Sequence, residues 1–224
     1  MSKTAMLGSQ VALACAVVLL AACTTDKSPE SDLKTVDIAR VKDLKSTFGP
    51  EFKVTEVGPT GVDPKLLGPQ TVPPGMKFDP ADCFGATQIV PPGLKGNMAA
   101  TTAEGKGNRF IAIAVETSDQ VPIKRPVDNC KKVGFAGGSV RGLVEVVEAP
   151  HIDGVETLGI HRVVQTVVEG KRRTGELYNY IASFGPFLVI VTANSLVVPN
   201  QPGVPVDTKR AADLLTAAVA AVRG

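Results

Sequence analysis

The sequence predicts an α+β domain, an antiparallel β-sheet packed on one face by N- and C-terminal helices. Three observations carry that prediction. Between residues 140 and 193 the chain falls into strand-length apolar or alternating blocks, and the links between the last three blocks are too short for parallel crossovers. Residues after Asp207 carry a helical stripe of Ala211, Leu214, Leu215, Ala218, Val219 and Val222. A second stripe, Ile38, Val41, Leu44 and Phe48, recurs at three- and four-residue steps near the other end.

The chain opens on a segment that stands apart from that domain. Lys3 gives a small positive start, and an apolar run of about thirteen residues follows from Val11 to Cys23. A membrane-crossing helix needs about 20 apolar residues, so the run has the length of a signal-peptide core instead. Its end, Leu20-Ala21-Ala22-Cys23, resembles the bacterial lipobox: an aliphatic residue, two small ones, then Cys. That resemblance implies cleavage after Ala22, a diacylglyceryl thioether on the Cys23 sulfur, and attachment to the extracytoplasmic face of the cell membrane. Two or more acyl chains would hold the protein there stably. The expected division is a lipoprotein signal peptide over 1–22, a lipidated N-terminus and flexible tether over 23–35, and one extracytoplasmic α+β domain over 36–224. Residues 24–34 are polar and contain Pro29, with a reach of at most ~36 Å.

The elements then follow in order. Asp37 to Phe48 reads as a helix stopped by Gly49-Pro50. Phe52 to Val57 alternates as a strand. From Gly58 to Gly75 five prolines preclude regular structure, which predicts a long extended loop. Asp79-Pro80 reads as the start of a short helix carrying Cys83 and Phe84. Phe110 to Thr117 is a near-continuous apolar strand, and Pro126 to Lys132 a second short helix carrying Cys130. Four strands are expected at Val140–Glu148, Ile160–Glu169, Glu176–Phe184 and Phe187–Ala193, the last of them central because it is apolar throughout. Residues 194–206 form another Pro-containing loop before the last helix.

Of four cysteines, Cys15 leaves with the signal peptide and Cys23 is acylated. Cys83 and Cys130 remain, and in an oxidising compartment they pair. Closing a loop of 47 positions is worth roughly 4 kcal/mol on the loop-entropy account. No CxxC occurs, and His151 and His161 lie far along the chain from both cysteines, which argues against zinc.

Composition narrows the function. The formal charge is +2, without the basic stripe that nucleic acid requires. There is no Trp, and the two tyrosines are Tyr178 and Tyr180, so stacking platforms for sugars or bases are scarce.

The layout resembles that of mycobacterial lipoproteins with an uncharacterised extracytoplasmic domain. The resemblance rests on the lipobox, the polar tether, a helix ending in FGP, the FDPADCF and VDNC segments, a strand meander and an Ala-rich last helix. More distantly the chain is similar to the extracellular sensor domain of the mycobacterial PknH-type receptor kinases. That likeness implies an α+β, disulfide-bearing fold with a ligand cleft, although those sensors carry two disulfides where this chain can form one. The family supplies no catalytic motif.

Patterns for chemistry fall short one by one. Gly137-Gly138-Ser139-Val140-Arg141-Gly142 has Arg141 where a nucleophile elbow needs Gly, and reads as a turn before a strand. Gly105-Lys106-Gly107 lacks the remainder of a phosphate loop and reads as a loop tip. His151 and His161, with Glu145 or Glu156, could face each other across a hairpin, but a third metal ligand is missing, so no metal or cofactor is expected. Lys171-Arg172-Arg173 reads as a solvated hairpin tip or as a contact for anionic lipid or cell-wall polymer. Tyr178 and Tyr180 share a strand face with Ala182 and Phe184, as core or as candidate cleft lining.

The expected function is a membrane-anchored, non-enzymatic module at the cell envelope. It would bind an apolar or amphipathic small ligand or an envelope protein in a cleft between sheet and helices. One alternative is an envelope hydrolase of lipid or glycan, which requires Ser139, His151 or His161 to meet an acidic residue. Another is a purely structural or accessory lipoprotein.

Overall fold

A computed structural model describes residues 35–63, 72, 74–88, 93–197 and 203–224. The expected signal segment, the lipobox residues Leu20, Ala21, Ala22 and Cys23, and the tether to residue 34 lie outside the described residues. Among the described residues, no helix is long and apolar enough to cross a membrane.

The sheet is antiparallel throughout and has nine strands. They are β1 (Phe52–Gly61), β2 (Lys77–Asp79), β3 (Asn97–Gly105), β4 (Asn108–Glu116), β5 (Lys132–Gly137), β6 (Val140–Val147), β7 (Glu156–Val168), β8 (Lys171–Phe184) and β9 (Phe187–Ser195). Their spatial order is β1-β3-β4-β9-β8-β7-β6-β5-β2. The apolar strand β9 is indeed central, paired with β4 and β8. The chain leaves the sheet between β4 and β5 and rejoins it on the far side, so two meanders meet along β4 and β9. Tight turns close the hairpins. Lys106-Gly107 and Glu169-Gly170 both take positive φ at two successive positions, which matches the right-handed twist of the flanking strands.

Two helices cover one face. The N-terminal one, Ile38–Thr47, is a 3-10 helix rather than the expected α-helix, and Asp37 caps it by accepting from the Ala39 N–H at 2.8 Å. Helix α1, Thr208–Arg223, is capped by Asp207, which accepts from the Arg210 N–H at 2.9 Å. Its predicted stripe is buried as a whole. The two helices touch each other, and the Asp37 N–H donates to the Val222 carbonyl at 2.9 Å. Beneath them the sheet presents many small residues, Ala103, Ala112, Ala114, Ala182 and Ala193 among them, which lets the helices sit close. Thr101 Oγ1 donates to the Val41 carbonyl at 3.0 Å, tying the first helix to β3.

The opposite face is also buried, under irregular chain instead of helices. Met98, Ile113, Val115, Ile181, Leu188 and Ile190 pack against Val62, Leu94 and Ile123. Further across, Phe135, Val144, Leu158 and Ile160 pack against Val72, Met76 and Phe78. The Cys83–Cys130 disulfide forms as expected, with both cysteines buried beside Val133. It joins two short 3-10 turns, Ala81–Thr87 and Asp128–Cys130, to the covering layer.

Several boundaries differ from the sequence expectation. β2, β3 and β5 were not expected as strands. β1 runs on through Pro59 with an irregularity after Val57, as an outer strand can because its free edge needs no donor there. The β7–β8 link is the two-residue turn Glu169-Gly170, not residues 170–175, so this hairpin is longer than expected. The N-cap of the 3-10 turn that carries Cys83 is Pro80 and not the expected Asp79, and it makes no side-chain cap bond.

Candidate functional site

The helical layer is narrower than the sheet. The N-terminal helix packs on β1, β3 and β4 and α1 on β4, β9 and β8, while β7, β6, β5 and β2 continue beyond them. One cross-strand row shows the transition. It runs Ala103, Phe110, Ala193, Tyr178, His161, Glu145, Lys132. The first three are buried under the helices. From Tyr178 onward the row is polar and partly exposed, because nothing folds over it. The sheet therefore carries its own boundary between core and open surface, and Tyr178 stands on it.

Tyr178 and Tyr180 do share the helix-side face with Ala182 and Phe184. Tyr180 is 5% exposed and belongs to the core, and burial raises its hydroxyl pKa. Tyr178 is half-buried against that core. Its ring stacks on His161 with centres 4.3 Å apart, and its hydroxyl donates to Glu176 Oε1 at 3.0 Å. Burial, then the Glu176 hydrogen bond and charge, push the Tyr178 hydroxyl up to about 12. His161 Nε2 lies 2.8 Å from the same Glu176 oxygen, so one carboxylate serves both rings. Glu145 pairs with Lys132 at 3.4 Å on the other side of His161.

Past this cluster the open face turns apolar and then basic. Val163 lies between Glu176 and Leu143 in the next row. The row after that is a hydrogen-bonded ladder, with Arg141 Nε donating to Gln165 Oε1 at 2.7 Å and Gln165 Nε2 to Thr174 Oγ1 at 3.3 Å. Lys171, Arg172 and Arg173 open β8 at the free end of the hairpin and are exposed, next to the exposed Val167 and Val168. β9 ends opposite Leu177, so the outer side of β8 from 171 to 176 has no strand partner among the described residues.

The residues considered for hydrolysis or metal binding are not brought together. Ser139 is exposed in the β5–β6 turn, as the turn reading expected. His161 sits midway along β7, a distance of about 20 Å from that end of the sheet at 3.3 Å per residue. His151 lies in the loop before β7, exposed, with Nε2 3.2 Å from Asp153. Glu156 instead accepts from the Ile123 N–H at 3.2 Å. Among the described residues, no group of three or more His, Cys, Asp or Glu side chains could hold a metal ion.

Sequence reasoning missed Glu176, Gln165 and Thr174 as members of one surface. Only strand register places them beside His161 and Arg141. It also missed a buried polar group on the opposite face. Arg162 is 3% exposed there and burial lowers its pKa to about 10, its Nη2 lying 3.4 Å from the Thr87 carbonyl.

Comparison with known proteins agrees with the expected kinship. The crystal structure of an uncharacterised Mycobacterium smegmatis protein, an Rv0999 ortholog, matches with 61% identity and a TM-score of 0.79, covering 85% of this chain and 98% of that one. The extracellular domain of PknH from Mycobacterium tuberculosis matches distantly, with 11% identity and a TM-score of 0.34, over 86% of this chain and 96% of that one. No curated protein matches. A family model described as a domain of unknown function, DUF5642, matches residues 37–223. With that span and the M. smegmatis relative, the chain belongs to the DUF5642 family.

Proposed function

We propose that the chain is a lipid-anchored extracytoplasmic module that binds an amphipathic ligand or a partner protein on the uncovered half of its sheet and catalyses no reaction. The observation that carries this reading is the mismatch between the layers. The helices stop at β8, and the sheet extends four strands further with Leu143 and Val163 only half-buried among charged neighbours. A sheet face open to water is commonly polar, and a pair of half-buried aliphatic side chains on it suits contact with an apolar group.

The anchoring part of the reading has separate support. The lipobox-like Leu20-Ala21-Ala22-Cys23 follows an apolar run of signal-peptide length. The Cys83–Cys130 disulfide suits an oxidising compartment outside the cytosol. With Cys15 and Cys23 accounted for by processing and acylation, no free thiol is left over.

Native mass spectrometry of the protein purified from its own host tests the binding part. A co-purifying mass is expected, together with slowed amide exchange over β6 and β7 that reverses when the mass is removed. Repeated isolation of the bare chain with unchanged exchange would overturn it. Cys23→Ser tests the anchor independently: the variant is expected to lose its membrane partitioning, and retention in the membrane fraction would refute acylation.

A further inference from the structure

The open face contains one feature that specifies the chemistry of an occupant. Two adjoining depressions, of about 260 and 330 Å³, share Arg141 and Gln165 and lie on either side of that hydrogen-bonded pair, making a shallow groove in two parts. Its inner part is floored by Leu143 and Val163. Its outer part, toward the hairpin tip, is flanked by Arg141, Arg172 and Ser139. The groove thus runs from apolar to cationic within a few strand residues.

The cationic end is uncompensated. Arg141 and Arg172, the two cations that line it, form no ion pair among the described residues. Arg141 is oriented by its Nε bond to Gln165, which leaves the outer guanidinium nitrogens directed to other acceptors. Elsewhere in the domain such pairs do form, as between Arg109 and Glu104 and between Lys106 and Glu51. Two guanidinium groups and a serine lining one depression suit an oxyanion with several acceptor oxygens, since each fork makes parallel charge-assisted bonds.

The geometry points to a binding groove for an anionic phospholipid, one whose phosphate is not neutralised by a cationic headgroup. The phosphate lies between Arg141 and Arg172, and the hydrocarbon runs along Leu143 and Val163. This inference rests on the binding-module reading above and names the class of ligand. Neither half of the groove is sufficient alone. The apolar floor is too shallow to hold a neutral chain, and exposed arginines in water gain little from a small free anion.

Photo-crosslinking tests it with the full-length chain and phosphatidylcholine vesicles. The vesicles carry a minor fraction of phosphatidylglycerol with a diazirine in the acyl chain. Adducts are expected on residues 140–143 and 163–167. The double variant Arg141→Gln/Arg172→Gln should lower their yield by about tenfold or more, and Leu143→Asn by several-fold. All three positions are solvent-accessible, so an unchanged melting temperature will verify the fold of each variant. Labelled phosphatidylcholine in place of phosphatidylglycerol should give about a tenth of the adducts. Millimolar inorganic phosphate should leave them in place, and full suppression by it would show a site for the free anion, overturning the lipid assignment. Adducts scattered over the surface, or undiminished in the double variant, would also overturn it. If native mass spectrometry finds another ligand or a protein on this face while the groove gives no adduct, the inference fails and the module reading survives. If both experiments are blank, both fail.

Discussion

The imidazole of His161 lies flat on the phenol of Tyr178, with the ring planes 11° apart, and both side chains converge on one oxygen of Glu176. This arrangement holds two rings at the border between core and open face, and it can be read by titration. The chain has two tyrosines and no Trp, so phenolate absorbance reports Tyr178 and Tyr180 alone. Both hydroxyls are raised, Tyr178 to about 12. A raised folded-state pKa means that the folded chain holds its protons longer than the unfolded one. The associated stability is complete below pH about 10 and is lost as pH climbs toward 12. Native protein should show little phenolate until alkaline unfolding begins. Glu176→Gln removes the neighbouring charge but not the burial, so the Tyr178 pKa should fall while staying above the usual value, with Tyr180 unchanged.

Two leucines should separate core from surface. Leu215 is fully buried on α1, and Leu215→Ala should cost ~3 kcal/mol, a drop of about 6–12 °C in melting temperature. Leu143 is half-exposed on the open face, and Leu143→Ala should cost about 1 kcal/mol or less. Thermal unfolding of the two variants measures the contrast. Equal costs would mean that the face around Leu143 is covered in the native protein.

The residues explain which of these features a sequence can announce. The α1 stripe was legible because six apolar positions repeat with helical spacing on a helix that buries a single side. β3 was not. Its Met-Ala-Ala-Thr-Thr-Ala core is buried on both sides, so small and polar residues replace the expected alternation. β7 and β8 begin earlier than the expected Ile160 and Glu176, at Glu156 and Lys171. Gly159 is a close-approach site, where an added Cβ would lie 2.7 Å from the Val147 carbonyl oxygen. Alternation sufficed to put Tyr178 and Tyr180 on one face. It could not show that Glu176 lies beside His161, because that follows from the pairing of β7 with β8.

Another glycine gives a sharper test of packing. At Gly142 an added Cβ would collide with the Val163 carbonyl oxygen and the Phe135 ring. The carbonyl belongs to the β6–β7 ladder and cannot swing away as a side-chain end would. Gly142→Ala should therefore destabilise the domain by roughly 1–3 kcal/mol, although alanine has the better intrinsic strand and helix propensities. Chemical denaturation would show it as a lower midpoint with an unchanged slope.

The disulfide should act on one layer more than on the whole. Cys83–Cys130 closes a loop of 47 positions, and its removal by Cys83→Ala/Cys130→Ala should cost up to about 4 kcal/mol. The two cysteines sit in the irregular layer against Val133 and Phe78, away from the helices. The helices and the strands beneath them keep their own contacts without it. Hydrogen exchange in the double variant should therefore accelerate first in residues 77–88 and 128–135, while β4, β9 and α1 stay protected until global unfolding. Uniform acceleration across the domain would instead show that the covering layer and the helix-side core form one cooperative unit, with the disulfide acting on both.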